Sequence, residues 1–230
     1  MTGELNFERI AAQRPDLIVG TSSGMTDTDY ARLSQIAPTP AQSGAYVEYG
    51  MPWQVQTRMI GRALGREARA QELIAGVEAR FAEVRARHPE FEGATAVVLN
   101  GAAGEGMLST YRPDAPRVQI LTDLGFEIPA EIAELPADSD QATLSVERLD
   151  LLDRDLLVWN LGLFSTVADV EAIPGYAQLA ATQQGRNVFV TDERLYAALA
   201  FASVLSLPFA LEWLEPMLAA AVDGDPATVP

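Results

Sequence analysis

One pattern occurs twice in the chain, and it constrains the fold more than any other feature. Residues 5–20 read LNFERIAAQRPDLIVG, and residues 144–159 read LSVERLDLLDRDLLVW. Both copies place Glu-Arg and an aliphatic residue before an aspartate, which precedes an aliphatic run. Each copy predicts a short helix followed by a buried strand of the parallel type. A duplicated helix–strand unit predicts two similar lobes rather than one continuous sheet.

Other segments alternate between helical and extended patterns. Apolar residues at three- and four-residue steps predict a long helix from Glu67 to Arg87, on the order of 30 Å long. Further helices are expected at residues 6–13, 26–35, 118–124 and 194–221, the last bent at Pro208. Short apolar runs predict strands at residues 16–20, 45–49, 94–100, 155–159 and 186–192. Alternation of this kind indicates α/β layers built on parallel strands.

Two glycine- or proline-rich segments are expected to be irregular. Residues 101–117 read as a long glycine-rich loop, and residues 128–142 as a proline-broken surface segment. The glycines at 101–106 do not match a dinucleotide-binding fingerprint, and no lysine follows them as in a phosphate loop.

Charge and composition exclude several classes of function. The formal net charge of -16 opposes binding to nucleic acid. Without cysteine, the chain has no disulfide, thiol nucleophile or cysteine metal site. His88 is the single histidine and follows a helix end, so a protein-built zinc or haem site and a Ser-His-Asp triad are not expected. No apolar run approaches the ~20 residues of a membrane span.

Several phrases, in this order and spacing, resemble one protein family along essentially the whole chain. They are the block at 5–20 with Ala37-Pro38-Thr39 downstream, Leu64-Gly65-Arg66-Glu67, residues 121–126 (LTDLGF), the second copy at 144–158, and Pro174-Gly175-Tyr176 with residues 179–181 and 185–186. The chain resembles the class III solute-binding proteins of ABC importers, which are receptors for ferric siderophores, haem and vitamin B12. The siderophore-receptor branch is most similar.

The resemblance implies an α/β fold with two Rossmann-like lobes joined by a single long helix. The expected divisions are an N-terminal lobe at 1–66, an interlobe helix at 67–88 and a C-terminal lobe at 89–230. Because the family begins with a strand and helix ahead of the first repeat copy, the first lobe is expected to be incomplete. The family works in the periplasm or on the outer face of the cell membrane, although no signal peptide or lipid-anchor cysteine is visible in this chain. A monomer is expected.

The resemblance implies a docking role for one glutamate in each copy of the repeat. In the family, the glutamate at the start of each such helix meets arginines of the permease dimer, and Glu8 and Glu147 match those positions. The alternative is that both are acidic residues stabilised by the dipole at a helix N-terminus.

Ligand contacts are expected in loops at the carboxyl ends of strands, where open α/β sheets bind. Aromatic and arginine side chains there suit a bulky, often anionic ferric chelate. The candidates are Ser23, Trp53, Tyr111, Arg112, Trp159 and Tyr196, with Ser22, Met25, Tyr49, Asn160, Phe164 and residues 100–112 and 192–196 as the wider set. Core packing is the alternative for either tryptophan, and a surface charge is the alternative for Arg112.

The function expected from these features is that of a receptor that binds a ferric siderophore, or haem, and delivers it to an ABC permease. No catalytic residue, cofactor or protein-held metal is expected, because the ligand itself chelates the iron. The alternative is a cytosolic α/β enzyme or ligand sensor on a related two-lobe scaffold.

Overall fold

The computed structural model describes residues 5–104, 106–137, 139–162 and 165–228, and within them the fold is α/β. The strands are β1 (Ala96–Gly104), β2 (Met107–Tyr111), β3 (Gln141–Ser145), β4 (Leu156–Asn160) and β5 (Asn187–Val190). The α-helices are α1 (Phe7–Ala12), α2 (Asp27–Ile36), α3 (Trp53–Ala63), α4 (Glu67–Arg87), α5 (Pro116–Asp123), α6 (Ala130–Ala133), α7 (Val167–Glu171), α8 (Ala180–Gln183), α9 (Glu193–Phe201) and α10 (Leu207–Val222). Short 3-10 helices span Pro89–Phe91, Val146–Leu152 and Tyr176–Gln178.

The strands form one mixed sheet in the order β3-β2-β1-β4-β5. Strand β4 runs parallel to both β1 and β5, whereas β1, β2 and β3 form an antiparallel meander. The three strands β1, β4 and β5 that were predicted from the sequence are parallel as expected, whereas β2 and β3 were not predicted as strands and add the antiparallel part.

Side-chain alternation along the sheet separates two hydrophobic cores. On one face, Val98 and Val158 pack with α3, α4, α5, α9 and α10. On the other, Leu99 and Trp159 pack with the 3-10 helix at 146–152 and with residues of α7 and α8. Because successive residues of a strand point to opposite faces, the near-continuous apolar runs in β1 and β4 supply both cores. The α/β class expected from the sequence is confirmed.

The long helix α4 has the bounds that its apolar periodicity predicts. Ile74, Val77, Phe81 and Val84 face the core that contains Val98. Because α4 contributes side chains to that core along most of its length, its position against one face of the sheet is fixed by packing. The division of the chain at residues 67 and 88 stays a prediction.

The end of α5 also agrees with its predicted geometry. Gly125 has a φ of +104°. The N–H of Phe126 donates to the carbonyl of Leu121 and that of Gly125 to Thr122, which is a Schellman ending. Phe126 then stacks on Phe91 at 4.8 Å between ring centroids.

Two strands predicted in the first part of the chain are not formed. Residues 16–20 make a parallel pairing of only two hydrogen bonds, from Ile18 to the Pro38 carbonyl and from Gly20 to the Pro40 carbonyl. Residues 45–49 form turns. A strand needs a neighbour along its length, and the described residues give this segment only that short pairing; Val19 remains 47% exposed.

The glycine-rich segment at 101–117 is mostly a hairpin and not the loop that its composition predicted. Strand β1 continues to Gly104 and returns as β2, with irregular register where Leu99 pairs with Thr110 and Ala102 with Leu108. Strand β3 likewise arises from the end of the segment expected to be irregular surface. Glycine lowers strand propensity, but pairing with a neighbour supplies the hydrogen bonds that fix these residues.

The predicted C-terminal helix is two helices. Helix α9 ends at Phe201, the capping residue Ala202 has a φ of +38°, and α10 begins at Leu207. Pro208 lies in the first turn of α10, where proline needs no N–H donor, so it starts a helix instead of bending one.

Candidate functional site

A buried arginine held between two tyrosines marks the candidate site. Arg117 lies in the first turn of α5, and its side chain is 11% exposed. Its guanidinium carbon is 4.5 Å from the ring centroid of Tyr111, at the end of β2, and 5.5 Å from that of Tyr196, in α9. Cation–π attraction strengthens when the pair is removed from water, so the two rings fix this charge in place.

Polar groups without ordinary partners lie just beyond the point where the parallel pairing of β1 and β4 ends. The paired register of β1 and β4 ends at Leu99 and Trp159, so Asn100 and Asn160 follow directly. Asn160 is fully buried, and neither polar atom of its amide makes a hydrogen bond of ordinary geometry with the described residues, although the amide lies near the Tyr111 hydroxyl, where burial raises the pKa of the phenol and the amide opposes that shift. The Asn100 side-chain oxygen and Arg117 Nε are also buried without a hydrogen-bond partner among the described residues. Leaving such groups unpaired costs about 1–3 kcal/mol each, so a polar ligand would be stabilised by completing them.

Two carboxylates lie close to the two arginines of this region. Asp140 Oδ2 is 4.0 Å from Arg117 Nη1, and Asp114 Oδ1 is 3.3 Å from Arg112 Nε. Burial raises the pKa of Asp140, and the Arg117 charge opposes that shift. Burial also raises the pKa of the Tyr111 phenol, which keeps that ring neutral in the physiological range. The cationic groups of the site are therefore partly compensated by the protein itself.

Residues from the first part of the chain lie near this cluster. Burial raises the pKa of Tyr49, and the carboxylates of Glu48 and Asp140 add to the shift. Close behind Tyr49, Gly24 has a φ of +60° and leaves no room for a side chain against the Tyr49 hydroxyl. The loops at 20–27 and 42–48 enclose a cavity of about 370 Å³ there. The segment that carries Glu48 and Tyr49 therefore lies near the Arg117 cluster, since Asp140 acts on the pKa of Tyr49 and Gly50 lies against the backbone carbonyl of Asp114.

The structure brings some of the sequence candidates together. Tyr111 and Tyr196 both contact Arg117, and Arg112 is adjacent through its backbone N–H, which donates to the Asp140 carbonyl at 2.9 Å. Ser23 lines the cavity between the two loops. Phe164 lies outside the described residues.

Both candidate tryptophans are buried. Trp53 is 2% exposed and donates from Nε1 to Asp123 Oδ2 at 3.3 Å. Trp159 is 0% exposed and donates from Nε1 to Asn187 Oδ1 at 2.8 Å. With the indole N–H groups satisfied inside the protein, burial favours the core-packing alternative for both side chains.

Sequence reasoning missed Arg117 and Asp140. Arg117 follows Pro116 at the start of a helix, directly after the strand that carries Tyr111, and this position is the signal that could have identified it. Asp140 lies in a segment that was expected to be irregular surface. Its partner in space is distant in sequence, so no local pattern indicates it.

The two repeat glutamates are on the surface. Glu8 is exposed in the first turn of α1, whose cap is Asn6. Glu147 is exposed at the start of the 3-10 helix, where its backbone N–H donates to Ser145 Oγ at 3.2 Å. Both are therefore accessible to a protein partner.

Comparisons with known proteins identify related chains. A family model described as "Periplasmic binding protein" matches residues 1–195. The ferric enterobactin-binding periplasmic protein FepB of Escherichia coli O6:H1 is 32% identical over 155 residues, which cover 65% of this chain and 45% of FepB. This chain therefore spans less than half the length of that relative.

Two solved structures share the fold over almost the whole chain. A periplasmic solute binding protein from Mycobacterium smegmatis has a TM-score of 0.80 and 36% identity, covering 96% of this chain and 74% of that one. Streptococcus pneumoniae PiaA, solved in complex with ferrichrome, has a TM-score of 0.81 and 27% identity over the same shares. Among the described residues, the helices lack the combination of length and apolar character needed to cross a bilayer.

Proposed function

Because the chain belongs to the periplasmic binding protein family, we propose that it is the receptor of an ABC importer that binds a ferric chelate. The ligand is a ferric siderophore, with haem as the other candidate, and it is held between the Arg117 cluster and the loops that carry Ser23 and Tyr49. The receptor works outside the cytoplasmic membrane as a monomer and passes the ligand to a permease dimer. It performs no chemistry on the ligand.

The observation that carries this proposal is the Arg117 cluster. Its cation is nine-tenths buried between Tyr111 and Tyr196, and Asn160, which lies near the Tyr111 hydroxyl, makes no hydrogen bond of ordinary geometry with the described residues. Rigid aromatic faces, a fixed cation and an open amide match a large ligand with aromatic or amide surfaces and exposed oxygen atoms. The E. coli relative is a ferric enterobactin-binding protein and S. pneumoniae PiaA was solved in complex with ferrichrome, which supports a ferric chelate as the ligand.

Tryptophan fluorescence tests the proposal. The full chain is titrated with ferric tris-hydroxamate, tris-catecholate and citrate complexes and with haem. We expect at least one of the four to quench the emission with saturation. Emission that stays unchanged across this panel would overturn the ferric-chelate function.

A substitution at the cluster locates the ligand. Arg117→Gln removes the buried cation, and we expect at least tenfold weaker binding, equivalent to about 1.4 kcal/mol. The control is Arg148→Gln, since Arg148 is 58% exposed and pairs with Asp150 away from the cleft. Equal affinities for the two variants, with thermal melts showing both folded, would place the ligand elsewhere.

A further inference from the structure

The charges around the Arg117 cluster indicate which classes of ferric chelate the site can bind. This inference rests on the proposed function and concerns the ligand class of the same cleft. Both arginines of the site already lie beside a carboxylate, Arg117 at 4.0 Å from Asp140 and Arg112 at 3.3 Å from Asp114. Neither cation is therefore left fully available to an anionic ligand.

A third carboxylate makes the sum of the charges around the two arginines negative. Glu48 is exposed and belongs to the segment at 47–50, in which Gly50 lies against the backbone carbonyl of Asp114. Its carboxylate is close enough to Asp140 for the two to interact. These two arginines and three carboxylates carry two positive and three negative charges when ionised. The surrounding chain adds to this field, because its formal net charge is -16.

Ferric chelates differ in charge according to the groups that hold the iron. Three catecholates bring six negative charges to iron(III), which leaves a complex of charge about 3−, whereas three hydroxamates bring three and leave a neutral complex. Bringing a trianion next to three carboxylates in a partly dry cleft is unfavourable, since the repulsion is poorly screened there. A neutral complex is not repelled by these carboxylates. Its oxygen atoms can accept hydrogen bonds from Arg117 and Asn160.

We propose that the cleft selects uncharged or cationic ferric chelates of the tris-hydroxamate class over anionic tris-catecholates, and that Asp140 is a residue that sets this selectivity. Asp140 is suited to the role because its side chain is 9% exposed and faces the cation that an anionic ligand would need. Its backbone carbonyl, which accepts from the Arg112 N–H, is unaffected by a change of side chain.

A competition between chelate classes tests the selectivity. The wild-type chain is titrated with a ferric tris-hydroxamate and a ferric tris-catecholate of similar size, and the ratio of the two dissociation constants is measured. We expect the tris-hydroxamate to bind at least tenfold more tightly, with an affinity that changes little between low and high salt. A preference for the tris-catecholate would overturn the inference and leave the ferric-chelate function intact, whereas no binding of either, or of citrate or haem, would overturn the function itself.

A matched pair of variants tests the role of Asp140. Asp140→Asn keeps the size of the side chain and removes its charge, so we expect the ratio to fall at least fivefold through tighter binding of the tris-catecholate. Asp150→Asn is the control, because Asp150 is exposed and paired with Arg148 outside the cleft, and we expect its ratio to match wild type.

A second variant keeps the test decisive if Asp140→Asn does not fold. Glu48→Gln alters an exposed side chain and changes the same field from the segment at 47–50. We expect a smaller change of the ratio in the same direction. An unchanged ratio in every folded cleft variant would show that these carboxylates do not set the selectivity.

Discussion

Trp159 illustrates, at the scale of a single residue, why some candidate contacts could not be assigned from the sequence. A tryptophan at the end of a parallel strand is suited equally to stacking on a ligand and to filling the core. The structure buries it completely, with its indole N–H donating to Asn187 and its ring packed edge-on against Tyr176 at 5.8 Å between centroids. The deciding partner, Asn187, is the first residue of another strand, and no local pattern indicates that contact.

Substitution of Trp159 should therefore affect stability more than binding. Trp159→Phe leaves a cavity and removes the donor to Asn187 Oδ1, and we expect a loss of about 2–4 kcal/mol in the free energy of unfolding. Urea denaturation measures it. Trp213→Phe is the control, since Trp213 is 46% exposed, and we expect it to lose less than about 1 kcal/mol. A large loss of chelate affinity with little change in stability would restore Trp159 as a ligand contact.

At the scale of elements, the two copies of the repeat have similar sequences and different structures. The second copy yields β4, in which Val158 is 2% exposed, whereas Val19 at the matching position of the first copy is 47% exposed and lies in no strand. The helix starts are alike, because Asn6 and Ser145 each accept a backbone hydrogen bond through the side chain. Local sequence therefore determined the caps, while strand formation depended on neighbours that only the second copy finds among the described residues.

Aspartates at equivalent positions of the repeat provide a matched test of this difference. Asp155 Oδ2 accepts hydrogen bonds from the backbone N–H and the hydroxyl of Thr95, at 2.9 and 2.7 Å, and so joins the starts of β1 and β4. We expect Asp155→Asn to lower the free energy of unfolding by about 1 kcal/mol at neutral pH, since the carboxylate is half exposed. Asp16→Asn, at the exposed matching position, should be neutral.

The effect of Asp155 should depend on pH in one direction. The Thr95 hydrogen bonds hold the pKa of Asp155 below its usual value of 3.8. Its stabilisation is therefore fully present above the pKa of the unfolded chain and is lost as pH falls through the lower pKa of the folded state. Urea titrations from pH 7 to pH 3 should show the wild-type advantage over Asp155→Asn shrinking towards acid. An advantage that grows towards acid would contradict the assignment.

At the scale of the whole molecule, the α/β class and the long helix could be predicted because each depends on periodic patterns within a continuous segment. The mixed order of the sheet could not, since β2 follows a glycine-rich segment and β3 follows a proline-broken one, and both strands are held by pairing with their neighbours. The candidate site was predicted in part: Tyr111 and Tyr196 were identified, but Arg117 and Asp140 meet only through the folded chain. The family resemblance supplied the docking role of Glu8 and Glu147, which stays a prediction.

A pair of substitutions on the surface tests that docking role. Glu8→Ala with Glu147→Ala removes one exposed carboxylate from each copy of the repeat. In cells whose uptake of the chelate depends on this protein, we expect uptake to be lost while the dissociation constant of the ligand stays within twofold of wild type. Glu67→Ala with Glu134→Ala, two other exposed glutamates, is the control and should support normal uptake. Weaker ligand binding by the first pair would show that these glutamates act at the ligand site.

The mixed sheet also has a consequence for the order in which the protein folds. Strands β1 and β2 pair across a tight connection, whereas the parallel partners β1 and β4 lie about 60 residues apart in the chain, as Ala96 and Leu156 show. Closing the longer loop costs more chain entropy, so hairpin pairing is favoured early and the parallel pairing late. Because the pairing of β1 and β4 brings Asn100 and Asn160 side by side, this part of the candidate site forms at the last stage of folding.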